Sequence, residues 1–150
     1  MTDLHLYEIL ETLGVRVETA NLPPDRDGEY IHARRLIRLH QGMPRRLRRS
    51  VLAHETAHAV FEDVPSHFGP ANARQERRAD EWAALRLIST ADYVRAEQLH
   101  EGHDEGIAVE LDVTIDLIEA YRGLLLRIGD SVYIDAKMGA GQFRDRAEAN

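Results

Sequence analysis

An α+β fold, a small antiparallel β-sheet packed on helices, is what this sequence predicts, and three observations predict it. Short runs rich in Val, Ile, Leu and Tyr lie before residue 40 and are separated by Gly and Pro signals. Helical periodicity takes over after Pro44. A chain of 150 residues with 43% apolar content suits one domain with a real core. In order, Leu4 to Leu13 reads as a short amphipathic helix stopped by Gly14, and Val15-Arg16-Val17 begins a strand. Residues 23–28 form a Pro- and Asp-containing loop. Tyr30-Ile31-His32 and Leu36-Ile37-Arg38-Leu39 then read as two strands around a tight connection. Pro44 suits a first helical turn, after which Leu47, Val51, His54, His58 and Phe61 recur along one apolar face. Asn72 to Ile88 reads as the next helix, opened by Asn72 with Gln75 three residues on in a near capping box. Asp92 to His100 and Ile115 to Arg127 supply further helices, with Thr114 placed to cap the last. The single domain, 1–150, thus divides into a site-bearing core over 1–90, a helical extension over 91–128 and a small, polar tail over 139–150 that is expected to be mobile.

Composition excludes several classes. A net charge of −7 argues against a general nucleic-acid binder. The opening Met1-Thr2-Asp3-Leu4-His5 carries no basic segment and no long apolar run follows, so neither a signal peptide nor a membrane span is expected, and the cytoplasm is the expected location. Zero cysteines rule out a thiolate metal site and disulfides. There is no internal repeat.

The most specific feature is His54-Glu55-Thr56-Ala57-His58. On a helix, residues four apart stack one turn above the other, so both imidazoles can face one ion, with the Glu55 carboxylate beside them as general base toward an attacking water. With 8 His and 14 Glu in the chain, chance yields only about 0.04 such HExxH matches. The bland alternative is a buried helix with two hydrogen-bonded core histidines, which would leave His-Glu-His needing polar partners. Four acids follow as candidates for the third ligand. Glu76 shares a face with Ala79, Asp80, Ala83 and Leu87, whose small and apolar members mark it as inward; Glu81 lies on a more polar side, and Glu62 is too close along the same helix to swing round. Asp80, one turn after Glu76, has the reach to accept the outer N–H of a ligating imidazole. An HExxHxxGxxH site is excluded, because Phe61 and Val64 stand where its Gly and third His would be.

These elements, with Glu76-Arg-Arg-Ala79-Asp80-Glu-Trp82-Ala83-Ala84 and the upstream run Gly28 to His40, resemble the ImmA/IrrE family of small metallopeptidases over about residues 28–90. The resemblance implies a zincin-like fold and a zinc-dependent endopeptidase that cleaves a helix-turn-helix repressor or related regulator to switch phage, mobile-element or stress genes. Leu87-Ile88-Ser89-Thr90 departs from the pattern where many members have a proline. The expected roles are therefore His54, His58 and Glu76 on Zn2+, Glu55 as general base and Asp80 orienting a ligand. A non-proteolytic, zinc-stabilised protein that binds a repressor or antitoxin is the alternative; retention of Glu55 favours the enzyme, since a structural site would close its fourth position with a protein ligand.

Substrate is expected along Leu36, Ile37, Arg38 and Leu39, because the short turn Gln41-Gly42-Met43 keeps this strand close to the histidine helix and a free edge there could pair with an extended segment. His32, His40, His67, Tyr93 and Tyr133 could each stabilise an oxyanion, and no spacing chooses among them. Seven arginines between Arg34 and Arg49 read as a solvated face or a dock for acidic substrate. Residues 107–121 have a helix-turn-helix rhythm, but Asp116 and Glu119 on the reading helix repel phosphate, so no direct nucleic-acid contact is expected. Trp82 is expected in the core.

Overall fold

Leu36, Ile37 and Leu39 form a nearly continuous apolar run, and such a run is stable only where both faces of a strand are covered. That requirement organises the sheet in the computed structural model, which describes residues 3–131; the tail 139–150 and Tyr133 lie outside them. By packing, the chain divides into two compact units, Met1–Ala83 and Ala84–Asn150. The first holds α1 (Leu4–Leu13), β1 (Arg16–Ala20), β2 (Gly28–Ile31), β3 (Leu36–His40), α2 (Arg45–Phe61) and most of α3 (Gly69–Leu87). The second holds the end of α3, then α4 (Thr90–Leu99), α5 (Asp104–Leu111) and α6 (Ile115–Ser131). The fold is α+β.

The three strands lie in the order β1-β3-β2, so β3 is central. It runs antiparallel to β2 but parallel to β1, which makes the sheet mixed rather than wholly antiparallel. The cause is burial. Leu36, Ile37 and Leu39 are completely buried, whereas Arg16, Glu18 and Thr19 of β1 are exposed and suit an edge. Residues 21–27 therefore carry the chain past the central position before β2 forms, and a single 3-10 turn, His32–Arg34, with Arg35 at φ 49°, returns it into the gap. Leu36–Leu39 is thus no edge for a substrate. One side of the strand is occupied by β1, as Arg16 N–H to Arg35 O and Gln41 N–H to Ala20 O show, and the other by β2, with His40 N–H on Asp27 O at 2.8 Å.

α2 covers the sheet, packing on β2, β3 and α1. Pro44, extended at ψ 155°, stands one residue before it and accepts the Arg48 N–H. The stripe that disappears into the core is Leu52, Ala53, Thr56 and Ala57; of the expected Leu47, Val51, His54, His58, Phe61 face, only His58 is buried and the others are half-buried. Small side chains let the helix come close. Gly28 shows how close: a Cβ there would fall 2.6 Å from Val51 Cγ1 and 3.2 Å from Glu55 Cγ. α2 ends at Glu62, in the left-handed region at φ 56°.

α3 begins at Gly69, three residues before the expected Asn72. The side chains read as a capping box serve the preceding loop instead, with Asn72 Oδ1 accepting the Ser66 N–H at 2.7 Å and Gln75 Nε2 donating to Val64 O. Trp82 is half-buried rather than in the core.

In the second unit, Ser89 caps α4 by accepting the Asp92 N–H where the proline was missing. The helix-turn-helix rhythm corresponds to α5 and α6 joined through Asp112 at φ 60°, with Ile107, Ala108, Val113, Leu117, Ile118 and Tyr121 buried and Asp116 and Glu119 exposed. No helix among the described residues is long and apolar enough to cross a membrane.

Candidate metal centre

His54 and His58, one turn apart on α2, bring their Nε2 atoms to 3.1 Å from each other. Glu76 reaches them from α3, with Oε1 3.1 Å from His54 Nε2 and Oε2 3.1 Å from His58 Nε2. The ligand atoms of the three residues all lie within 4.8 Å of one another, and this is the one such group of His, Asp or Glu among the described residues. Glu81 and Glu62 do not belong to it.

Each imidazole is held from behind. Asp80 Oδ1 lies 2.8 Å from His54 Nδ1, the contact expected of it from one turn beyond Glu76. The second carboxylate is Asp63, which the sequence reading missed: its Oδ2 lies 2.9 Å from His58 Nδ1. The signal was an acid five residues past the second histidine, brought back by the left-handed turn at Glu62. Asp63 is buried, and its other oxygen takes Arg78 Nη2 at 2.6 Å.

The donor chemistry tests whether a metal fits. Ionised carboxylates only accept, so Asp80 and Asp63 fix the protons of both rings on Nδ1 and leave both Nε2 lone pairs aimed at one point that Glu76 also faces. Such a set of acceptors repels itself unless a cation lies among them. Two nitrogens each 2.0–2.1 Å from a tetrahedral ion stand about 3.3 Å apart, close to the 3.1 Å found. Without an ion, protons on the rings meet the same need for positive charge. Burial works against charge on His54, but hydrogen bonds with Asp80 and Glu76 outweigh it and its pKa rises to about 10. His58 is raised against its own burial by Glu76 and Asp63, and the two imidazoles hold Glu76 far below the usual carboxylate range. Burial pushes the Glu55 carboxyl up.

Glu55 lines a cavity of about 660 Å³ together with His58 and Glu76. Its further walls are β2 with the following turn, from Gly28 to Ala33, and the loop at Val64 and Pro65. Leu36 to Leu39 do not line it. Of the other polar candidates, His32 lines the cavity, with Nδ1 2.8 Å from the Tyr30 hydroxyl. His40 Nδ1 instead accepts the Leu22 N–H, His67 is exposed, and Tyr93 accepts from Arg122 Nε within the second unit.

No curated protein matches the chain significantly, and no solved structure does. A family match covers residues 10–120, well over half of the chain, to the M78 peptidases, described as the IrrE N-terminal-like domain. The upstream hairpin, the HExxH helix and the Glu76 helix all fall within it, and the chain belongs to this metallopeptidase family.

Proposed function

We propose that this chain is a zinc-dependent endopeptidase that hydrolyses a peptide bond in an extended segment of a cytoplasmic regulatory protein, a helix-turn-helix repressor being the class that its ImmA/IrrE membership favours. The observation that carries the reading is the convergence of His54, His58 and Glu76 on one point beside the Glu55 carboxylate, at the wall of a cavity. Zinc bound there supplies Lewis acidity, polarising the scissile carbonyl and acidifying a water beside it. Glu55 takes the proton of that water as it attacks and passes it to the departing amine. Asp80 and Asp63 keep the two imidazoles in the tautomer that binds metal.

Substrate docking moves from β3 to β2. Because His40 bonds Asp27, the register makes 29–38 and 31–36 the hydrogen-bonded pairs, and Gly28 and Tyr30 point their N–H and C=O groups away from β3. This outer edge lines the same cavity as Glu55, so an extended segment paired to it presents its backbone to the site. A folded helix cannot pair in that way, which favours cleavage in a linker.

The test compares wild type with Glu55→Gln, both shown to hold one zinc, in a native lysate of the host with labelling of newly formed N-termini. New termini in a regulatory protein, at least about 100-fold fewer with the variant, are expected from loss of a general base. Termini equal in both samples would remove the peptidase reading and leave a zinc-stabilised binding protein.

A further inference from the structure

Arg78 stands on α3 two residues beyond Glu76, and its side chain reaches the end of α2. Nη2 donates to Asp63 Oδ1 at 2.6 Å while Asp63 Oδ2 engages His58 Nδ1 at 2.9 Å. The same guanidinium lies 4.0 Å from the centroid of the Phe61 ring, in the last turn of the helix that carries both histidines. A carboxylate with one oxygen on each partner cannot rotate without breaking one bond. Asp63 is also buried, with a side chain only 7% exposed against 49% for Arg78, so its charge needs a cation to remain inside.

We infer that Arg78 is a positioning residue of the metal centre: by clamping Asp63 it fixes the ring of His58 with Nε2 toward the ion, and it ties the helix bearing Glu76 to the helix bearing the histidines. It touches neither the ligand atoms nor the cavity. Its influence passes through Asp63. The inference rests on the reading of this site as a zinc centre, and it adds a residue that the HExxH and Glu76 motifs do not include.

Removing a partner behind a ligating histidine weakens metal affinity by about 10–100-fold. Asp63→Asn should fall in that range. Arg78→Ala should lie near its lower end, about tenfold, because a half-exposed ion pair is partly screened by solvent. Arg78→Lys keeps the charge and should recover most of the affinity, whereas Arg78→Met keeps an apolar stem over Phe61 and should not. Since Arg78 acts through Asp63, the double variant Arg78→Ala with Asp63→Asn should bind no more weakly than Asp63→Asn alone.

The experiment is a zinc titration of the full chain against a competing chelator, with far-UV circular dichroism and thermal unfolding in excess chelator to compare the folds without relying on activity. Failure of the wild-type chain to bind zinc would end the metal-centre reading itself, before any variant is compared. With wild type binding, an Arg78→Ala affinity within twofold of it, an Arg78→Met affinity equal to it, or additive losses in the double variant would each overturn the role given to Arg78. Should Arg78→Ala not fold, the contrast between Arg78→Lys and Arg78→Met decides.

Discussion

A histidine can coordinate through Nε2 in the neutral ring only when Nδ1 carries the proton, and Asp80 and Asp63 impose that condition on His54 and His58 by accepting from the far side of each ring. With Glu76 as the proposed third ligand, Glu76→Ala should lose zinc while Glu81→Ala, outside the converging group, keeps it. Metal analysis of the two purified variants checks this, and retention by Glu76→Ala would show that the ligand set is misassigned. Glu76 and Asp80 were legible in the sequence because helical spacing alone places them on one face. Asp63 was not. It acts from just beyond a helix end, where a left-handed residue rather than a periodicity sets the direction of the chain. Glu55 was legible from its place between the histidines, but the closeness of Gly28 to it was invisible, being a contact between elements distant in sequence.

At the scale of elements, β2 and α2 meet where Gly28 faces Val51 and Glu55. Gly28→Ala would drive a methyl into Val51, whose β-branched side chain has one preferred rotamer on a helix and cannot easily turn aside. A loss of about 1–3 kcal/mol is expected, as for overpacking elsewhere, measured by denaturant unfolding; an unchanged midpoint would mean that strand and helix are not so close. The free edge of β2 has its own signature. Amides of Gly28 and Tyr30 should exchange with solvent quickly, while those of Glu29 and Ile31, in the ladder to β3, should be slow. Uniform protection along the strand would contradict this register. The sequence showed two strands around a tight connection, and β2 and β3 are those strands. Strand order was hidden, because the central place of β3 follows from covering Leu36, Ile37 and Leu39 on both faces, a competition among strands that local patterning does not express. The start of α3 at Gly69 is hidden for a related reason. Asn72 and Gln75 have the chemistry of a helix cap, but loop carbonyls and amides claim it.

For the whole molecule, a metal that binds the folded chain alone adds stability by mass action, about 2.7 kcal/mol at a free concentration 100 times its Kd. In a chain of this size each kcal/mol moves the melting temperature by about 2–4 °C. Zinc should therefore raise it by roughly 5–10 °C, a chelator should reverse the gain, and His54→Ala should show no shift. Scanning calorimetry with and without zinc checks this, and an equal rise in His54→Ala would point to binding elsewhere. The turn at Glu62 bears on how such a chain can vary in length. With φ at 56°, it reverses the backbone at once, so that Asp63, five residues after His58, returns beneath that ring. One residue inserted between His58 and Asp63 would swing the carboxylate about 100° around the helix axis and strand the imidazole. Beyond Asp63, an insertion near His67 costs only a little loop entropy. Lineages descended from a common ancestor of this chain should accordingly gain and lose residues between Asp63 and Gly69, and keep the count from His58 to Asp63 unchanged.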